Sequence, residues 1–554
     1  MASREFDAIV VGAGFSGLYM LHRLRGLGFS ARVIEAGGDV GGTWYWNRYP
    51  GARCDIESME YSYSFSPELE QEWEWTERYA AQPEILSYLR HVADRFDLRR
   101  DIAFDTRVIS AEWDEDAGRW HIAISAGESF AARYCIMGTG CLSSPNRPDI
   151  PGLGSFSGET YLTSLWPHEG VDFTGRRVAV IGTGSSGIQS IPVIAREAAH
   201  LTVFQRTPNF TVPAHNHPLD EAYRARIKSG YPALRAQERN SVGGAAGGLP
   251  QSPLPALAMD PADLDADLEA RWEVGGLGGF LNTHPDTVFD PAAADLVAGF
   301  VHRKIHQTVQ DPAVAQLLCP TSYPMGAKRL CVDTGFHATF NRDNVELVDL
   351  KTTPIERITP EGVRTGGGLY PVDAIVLATG FDAMTGALGK IDIRGRGGLA
   401  LKEKWAEGPR TYLGLMSAGF PNLFTITGPG SPSVISNMVV SIEQHVDWIA
   451  DLLDEMERRG AAQVEPLAES EEQWAAHVNA VAEPTIFMQA NSWYLGANIP
   501  GKPRVFMPYI GGVGTYRTIC DAVAEGGYAG FAIDGNSRPA PADFMAFFAS
   551  LEPA

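Results

Sequence analysis

Residues 41–55 read GGTWYWNRYPGARCD, with two tryptophans, two tyrosines, two arginines, a Pro-Gly turn and one acid in fifteen residues. A ring left in water forgoes about 2 kcal/mol of burial, so a surface loop seldom carries this much aromatic area. The glycines and the Tyr-Pro-Gly turn suit backbone passing close to something flat and large. An isoalloxazine ring with Asp55 at its edge is one such object. A buried packing loop of an ordinary domain is the other, and the flanking residues decide between them.

Those flanking residues carry phosphate chemistry. Upstream, the apolar run DAIVV leads into Gly12-Ala-Gly14-Phe15-Ser16-Gly17, then the helical stretch LYMLHRLRGLG and a second strand, ARVIEA, which contains Glu35. Gly12 makes the turn, Gly14 lets backbone approach a pyrophosphate, and Gly17 lets helix and strand pack closely. Glu35, 18 residues past Gly17, is placed to accept hydrogen bonds from an adenosine ribose. A second unit, RRVAVIGTGSSG, supplies Gly182, Gly184 and Gly187, and its following strand is LTVFQRTP. Gln205 there takes the place of Glu35, and Arg206 comes next. Exchanging an acid for a neutral amide and a cation fits a ribose 2′-phosphate, hence NADP rather than NAD, with Lys328 as a second candidate cation. One acidic and one basic unit in one chain argue for FAD in the first and NADPH in the second.

The elements that position these residues belong to an α/β protein with two Rossmann-like dinucleotide-binding domains and a helical insertion. Residues 83–96 read as a helix, 102–124 as antiparallel strands and 131–140 as a buried strand. The runs 370–381 and 420–430 each read as a strand ending in glycine. A helix is expected from about 436 to 456. Between 213 and 325 the texture changes: 242–258 is Gly/Pro-rich and reads as a mobile loop. Asp260-Pro261 and Asp290-Pro291 are helix starts. Val297, Val301, Ile305 and Val309 form one apolar helical face. The implied domains are 1–142 (FAD-binding, first part), 143–212 (NADP-binding, first part), 213–325 (insertion), 326–378 (NADP-binding, second part) and 379–554 (FAD-binding, second part). His302 and His306 share a helical face, yet no glutamate follows the first and no third ligand is evident, so no metal is expected.

Composition narrows the partners. A net charge of −22 argues against nucleic acid and anionic membrane. No apolar run reaches the roughly 18 residues that span a bilayer, and the N-terminal apolar run is expected to be a strand rather than a targeting segment. Six cysteines without CxxC or zinc spacing read as reduced thiols of a cytoplasmic protein. A monomer or weak homo-oligomer is expected.

Two glycine units, GGTWYWNRYPGARCD, FSGETYLTSLWP, GAKRL and ATGFD together resemble the Baeyer–Villiger monooxygenases, in the phenylacetone and steroid monooxygenase branch, over nearly the whole chain. The resemblance implies an FAD-dependent NADPH:O2 monooxygenase. In this family NADPH reduces FAD, O2 adds at flavin C4a, and the peroxide attacks a ketone to give an ester or lactone, with sulfide oxidation on the side. Arg329, in GAKRL, matches the active-site arginine, and Asp55 matches the acid that positions it. By the same resemblance FAD is held at Gly12, Gly14, Phe15, Ser16, Gly17, Glu35, Thr43, Trp44, Tyr49, Asp55, Tyr61, Val108 and Met438. NADP is held at Gly182, Thr183, Gly184, Ser185, Ser186, Gly187, Gln189, Arg206, Thr207, Lys328, Arg329 and Trp493. Ser433, Val434 and Ile435 match a bulge that lines the substrate, implied to be a bulky aromatic, long-chain or polycyclic ketone. The linker departs from the family's Phe-x-Gly-x-x-x-His-Thr-x-x-Trp-Pro: Phe156, Gly158, Thr163, Trp166 and Pro167 match, and Leu162 replaces the histidine. Leucine keeps packing but neither hydrogen-bonds nor titrates, so the fold is expected to survive and coupling to suffer. Three rival readings stand beside this one. An N- or S-oxygenating flavin monooxygenase shares both nucleotide units. A disulfide reductase needs a CxxxxC pair that Cys54 lacks. A redox sensor would bind both nucleotides without oxygenating.

Overall fold

The computed structural model describes residues 4–280 and 282–540. The run DAIVV lies in the strand Arg4–Val11, whose last four residues are buried. It pairs in parallel with Ala31–Ile34 on one side and Ser129–Met137 on the other, inside an eight-stranded sheet. Ser129–Met137 splits that sheet. Its first residues pair antiparallel with Arg119–Ile124, and its last three pair in parallel with Leu423–Thr425 on the same edge. The meander Val108–Asp114 and Arg119–Ile124 thereby peels away as a separate layer, joined by Asp392–Arg394. The expected antiparallel stretch 102–124 needs one correction. Ile102–Ala103 pairs in parallel with Ala31–Ile34, because the 3-10 turn Arg99–Asp101 returns the chain to the parallel edge before the meander starts.

A second, five-stranded parallel sheet runs Val345–Asp349, His200–Gln205, Arg177–Ile181, Ala374–Leu377 and Glu159–Leu162. The run 370–381 is two strands rather than one. Gly368–Pro371 closes an antiparallel three-stranded layer with Ile355–Thr359 and Gly362–Thr365. Ala374–Leu377 then enters the parallel sheet, since Pro371 has no N–H with which to carry one ladder onward.

Helix Pro261–Val274 begins at Asp260, whose carboxylate accepts from the Ala262 N–H, and Pro291–Thr308 begins at Asp290 in the same way. The signal recurs at Asp311, which caps Pro312–Leu318. Val297, Val301, Ile305 and Val309 are buried in a core shared with Val178, Val180 and Phe210 of the second sheet's unit. The insertion is therefore packed onto that unit rather than standing on a core of its own. The helix expected from 436 spans Met438–Arg459, because Asn437 supplies the side-chain cap on the Val439 N–H and Ser433–Ile435 forms a separate 3-10 turn before it. Among the described residues no helix is long and apolar enough to cross a membrane.

Candidate active site

The first glycine unit is a close backbone junction. A Cβ on Gly17 would stand 1.8 Å from the Gly12 carbonyl oxygen, and one on Gly12 would stand 2.6 Å from that of Gly138. Gly12 also has φ +103, a conformation side chains disfavour. Gly14 meets the aromatic stretch directly, since its Cβ would lie 3.3 Å from Gly42 Cα, while the Gly41 N–H donates to the Ala13 carbonyl at 2.9 Å. Helix Phe15–Gly26 starts at Gly14 with no side-chain cap and no acid in its first turn, which leaves its N-terminal N–H groups for an anion. Glu35 is buried and fixed by the N–H groups of Ala13 (2.7 Å) and Gly37 (2.6 Å). Burial raises its pKa, and those two donors work against the rise.

Within the aromatic stretch Thr43–Trp46 makes one helical turn. Trp44 is buried and its indole N–H donates to Tyr61 Oη at 3.3 Å, while Tyr61 meets Phe15 edge-on. Thr43 is exposed, and Tyr45, Trp46 and Tyr49 keep part of their surface open. Asn47 Oδ1 is buried with no protein partner. Val108 is buried at the start of the meander.

From the end of this stretch Asp55 reaches Arg329, 274 residues away. Arg329 Nε donates to one carboxylate oxygen at 2.9 Å and Nη2 to the other at 2.7 Å, a two-pronged pair. Nη1 donates to the Val434 carbonyl at 2.8 Å. Three of the five guanidinium N–H donors are engaged in this way, and the Tyr494 phenol is a further hydrogen-bonding neighbour of the group. Burial lowers the guanidinium pKa, but Asp55 more than offsets that, so the group lies above its ordinary range and stays charged. Val434 sits in the 3-10 turn Ser433–Ile435, where Ser433 has φ +21. Ser433 Oγ is 3.1 Å from Cys141 Sγ, which pins the turn from below. Val434, Tyr494, Phe506 and Cys141 share an apolar cluster with the partly buried Ile435, Met438 and Trp493. The structure therefore brings Asp55, Arg329, the 433–435 turn, Met438 and Trp493 to one place.

In the second unit Gly182 (φ +114) and Gly187 repeat the crowding: a Cβ would lie 2.4 Å from Ala378 O and 2.3 Å from Gly182 O, respectively. Nothing lies within 4 Å of a Cβ on Gly184. That opening faces the start of Ser185–Glu197, another helix without a side-chain cap or first-turn acid. Thr183 Oγ1 donates to the Thr207 carbonyl, Ser185 Oγ lies 3.2 Å from Cys331 Sγ, and Ser186 Oγ accepts from Thr163 of the linker at 3.3 Å. Gln189 spends both ends of its amide on the aromatic stretch: Oε1 accepts from Tyr49 Oη at 2.8 Å and Nε2 donates to the Arg53 carbonyl at 2.9 Å. Strand pairing places Gln205 where Glu35 stands in the first unit, one residue past the partner of Ile181 as Glu35 is one past the partner of Val11. Its Oε1 is buried with no protein partner. Arg206 follows and is exposed, and Lys328 Nζ lies 4.3 Å from the Tyr323 ring centroid. Burial, then Arg206 and Lys351, lower the Lys328 pKa.

Sequence reasoning missed Lys351 and Tyr494. The Leu350 N–H donates to the Gln205 carbonyl at 2.8 Å, so Lys351 follows a strand end beside Arg206. Only strand order, not spacing, reveals that. Tyr494 is buried, with its ring 4.4 Å from that of Trp493. Burial pushes its phenol up to about 12, and Arg329 opposes the rise. His302 serves packing, and His306 does not share its surroundings. His302 Nε2 bonds the Pro320 carbonyl at 2.8 Å and its ring stacks on Phe210, while His306 is exposed. Leu162 is buried against Ala179, Ile181, Phe204 and Leu377. All six cysteines are buried and free, so no disulfide partner stands beside Cys54.

Comparison with known proteins agrees with this geometry. The family described as pyridine nucleotide-disulphide oxidoreductase matches residues 9–242. A Baeyer–Villiger monooxygenase from Pseudooceanicola batsensis is 44% identical over 527 residues, covering 95% of each chain. A phenazine N-monooxygenase from Lysobacter antibioticus is 41% identical over 530 residues, 95% of this chain and 97% of its own. The solved structure of an oxidized steroid monooxygenase bound to NADP superposes with a TM-score of 0.91 at 54% identity, over 96% of this chain and 99% of that one. With relatives this similar over nearly its full length, the chain belongs to the Baeyer–Villiger monooxygenase family of flavin-dependent enzymes.

Proposed function

We propose that the protein inserts one oxygen atom of O2 beside the carbonyl of a small hydrophobic ketone, giving an ester or lactone, with FAD on the first glycine unit and NADPH on the second. The observation that carries the reading is the two-pronged Asp55–Arg329 pair beside the Val434 carbonyl and an apolar wall. The residues present fit both cofactors: two uncapped helix starts, the open face at Gly184, and the partnerless buried oxygens of Asn47 and Gln205. Bound FAD, reduced by NADPH, supplies the activated oxygen. Arg329 offers its remaining N–H donor capacity to negative charge as it develops on the reacting oxygens, fixed in place before the reaction so that no reorganisation is needed. Asp55 and the Val434 carbonyl hold the guanidinium plane, and arginine suits the post because it does not lose its proton. Val434, Ile435 and the rings around them exclude water and present the ketone. Arg206, Thr207 and Lys328, with Lys351 alongside, take the 2′-phosphate, and Trp493 packs on the nicotinamide cofactor.

Strand sharing supports the domain assignment of 1–142 with 379–554 for FAD, 143–212 with 326–378 for NADP, and 213–325 as the insertion. Buried free thiols and the acidic surface suit a cytoplasmic monomer or weak homo-oligomer. The second reading is oxygenation of a nitrogen or sulfur nucleophile, and the phenazine N-monooxygenase relative favours its nitrogen half. NADPH oxidation with product analysis on parallel panels of ketones, sulfides and aromatic amines tests the choice. Ester from ketones at rates above those for sulfide and N-oxide supports the first reading, and the reverse order overturns it.

Leu162 gives a separate prediction. An imidazole put into its apolar setting lacks a partner there, so Leu162→His is expected to lower stability by about 1–3 kcal/mol. It is also expected to reduce peroxide released per NADPH. Thermal unfolding and a peroxide assay check both, and unchanged leakage would discount the linker as a determinant of coupling.

A further inference from the structure

Helix Ser185–Glu197 holds the backbones on either side of the catalytic pair. One turn into it, Gln189 accepts from Tyr49 Oη at 2.8 Å and donates to the Arg53 carbonyl at 2.9 Å, and Arg53 is two residues from Asp55. The two segments meet there backbone to backbone. Gly51 has φ +80, and a Cβ on it would lie 2.2 Å from the Gln189 carbonyl oxygen. At the helix start, Ser185 Oγ lies 3.2 Å from Cys331 Sγ, two residues past Arg329. Asn209 Nδ2 completes that side by donating to Cys331 Sγ (3.1 Å) and the Arg329 carbonyl (3.4 Å). Asp55 and Arg329 come from distant parts of the chain and from different nucleotide units, and this one helix touches the segments of both. Its uncapped first turn is the seat of the NADP pyrophosphate in the proposed function.

We propose that Gln189 is a positioning residue: its amide clasps the 49–53 turn onto the helix of the second glycine unit, so that a nucleotide seated on the helix start stiffens the loop carrying Asp55. The nucleotide part rests on the reading of that helix as the NADP site, whereas the clasp itself does not. A rigid helix conveys order from its first turn to its second without changing shape, and among the described residues the polar links from this helix to the 49–53 turn are the two ends of one side chain.

The test uses the FAD-loaded enzyme and two variants. Gln189→Leu keeps volume and removes both bonds, and Tyr49→Phe removes one. Backbone hydrogen exchange of 52–55 is followed with and without NADP+, beside NADP+ affinity and the fraction of NADPH electrons lost to peroxide with a ketone present. One net hydrogen bond corresponds to a factor of roughly three to ten. Gln189→Leu is therefore expected to speed exchange at 52–55 by at least that factor without nucleotide, to lose the slowing that NADP+ causes in the parent, and to raise the peroxide fraction several-fold. Because Gln189 is among the residues implied to hold NADP, the variants are compared at saturating NADP+, and Tyr49→Phe is expected to fall between parent and Gln189→Leu. Parent-like exchange at 52–55 in both variants would overturn the clasp. A rise spread evenly over the second unit would also overturn it, because that marks a loss of packing rather than of position. A parent enzyme that makes no ester would count against the proposed reaction, while the nucleotide-free comparison would still judge the clasp.

Discussion

Arg329→Ala is expected to reduce ester formation by about a hundred-fold or more while the folded, FAD-loaded protein remains. The guanidinium donates twice to Asp55 and once to the Val434 carbonyl, with the Tyr494 phenol beside it. Removing it takes away the fixed positive charge from a water-poor site and leaves the Asp55 carboxylate without its partner, so negative charge then develops beside a negative group. Electron uptake from NADPH does not require that charge in the same way. Oxygen consumption is therefore expected to continue with peroxide as its product, and parallel assays of ester, peroxide and NADPH check this. Arg329→Lys keeps the charge but not the two-pronged geometry and is expected to restore only part of the loss.

The second large effect concerns nucleotide choice. Arg206 and Lys328 form no ion pair with any described residue, although the chain carries 67 acids against 45 lysines and arginines. Two cations left unpaired beside a partnerless Gln205 oxygen suit an anionic guest. A hydrogen bond to a charged group contributes about 1.5–3 kcal/mol, so Arg206→Ala and Lys328→Ala are each expected to raise the NADPH KM roughly ten-fold or more. The KM for NADH, which lacks the 2′-phosphate, is expected to hold. Lys351→Ala is expected to act in the same direction more weakly, since Lys351, unlike Lys328, is exposed and screened by water. Steady-state kinetics with both nucleotides decide it; an equal rise for NADH would show that these cations serve the fold instead.

Much of this was legible in one dimension because it rests on local rules. Glycine spacing between an apolar strand and a helix dictated both nucleotide seats, and Asp-Pro pairs marked the helix starts of the insertion. Harder to read were features made by distant strands. Lys351 joins the cation group only because Val345–Asp349 lies beside His200–Gln205. Ile102–Ala103 looked like part of a meander because alternation does not tell parallel from antiparallel pairing. The 370–381 run split because a proline breaks a ladder without breaking the apolar pattern. Asp55 and Arg329 were tied to each other by family likeness; their hydrogen bonds, and the roles of Val434 and Gln189 around them, depend on side-chain placement that spacing does not encode.

A four-member mutant cycle tests the tethered guanidinium most directly: kcat/KM for a ketone in the parent, Asp55→Ala, Arg329→Ala and the double variant. If the carboxylate works through the arginine, the double variant will be no worse than Arg329→Ala alone, giving a strong coupling between two residues in contact. Losses that simply multiply would mean that Asp55 and Arg329 serve the reaction independently, and a carboxylate acting through its arginine would be the wrong mechanism for this enzyme.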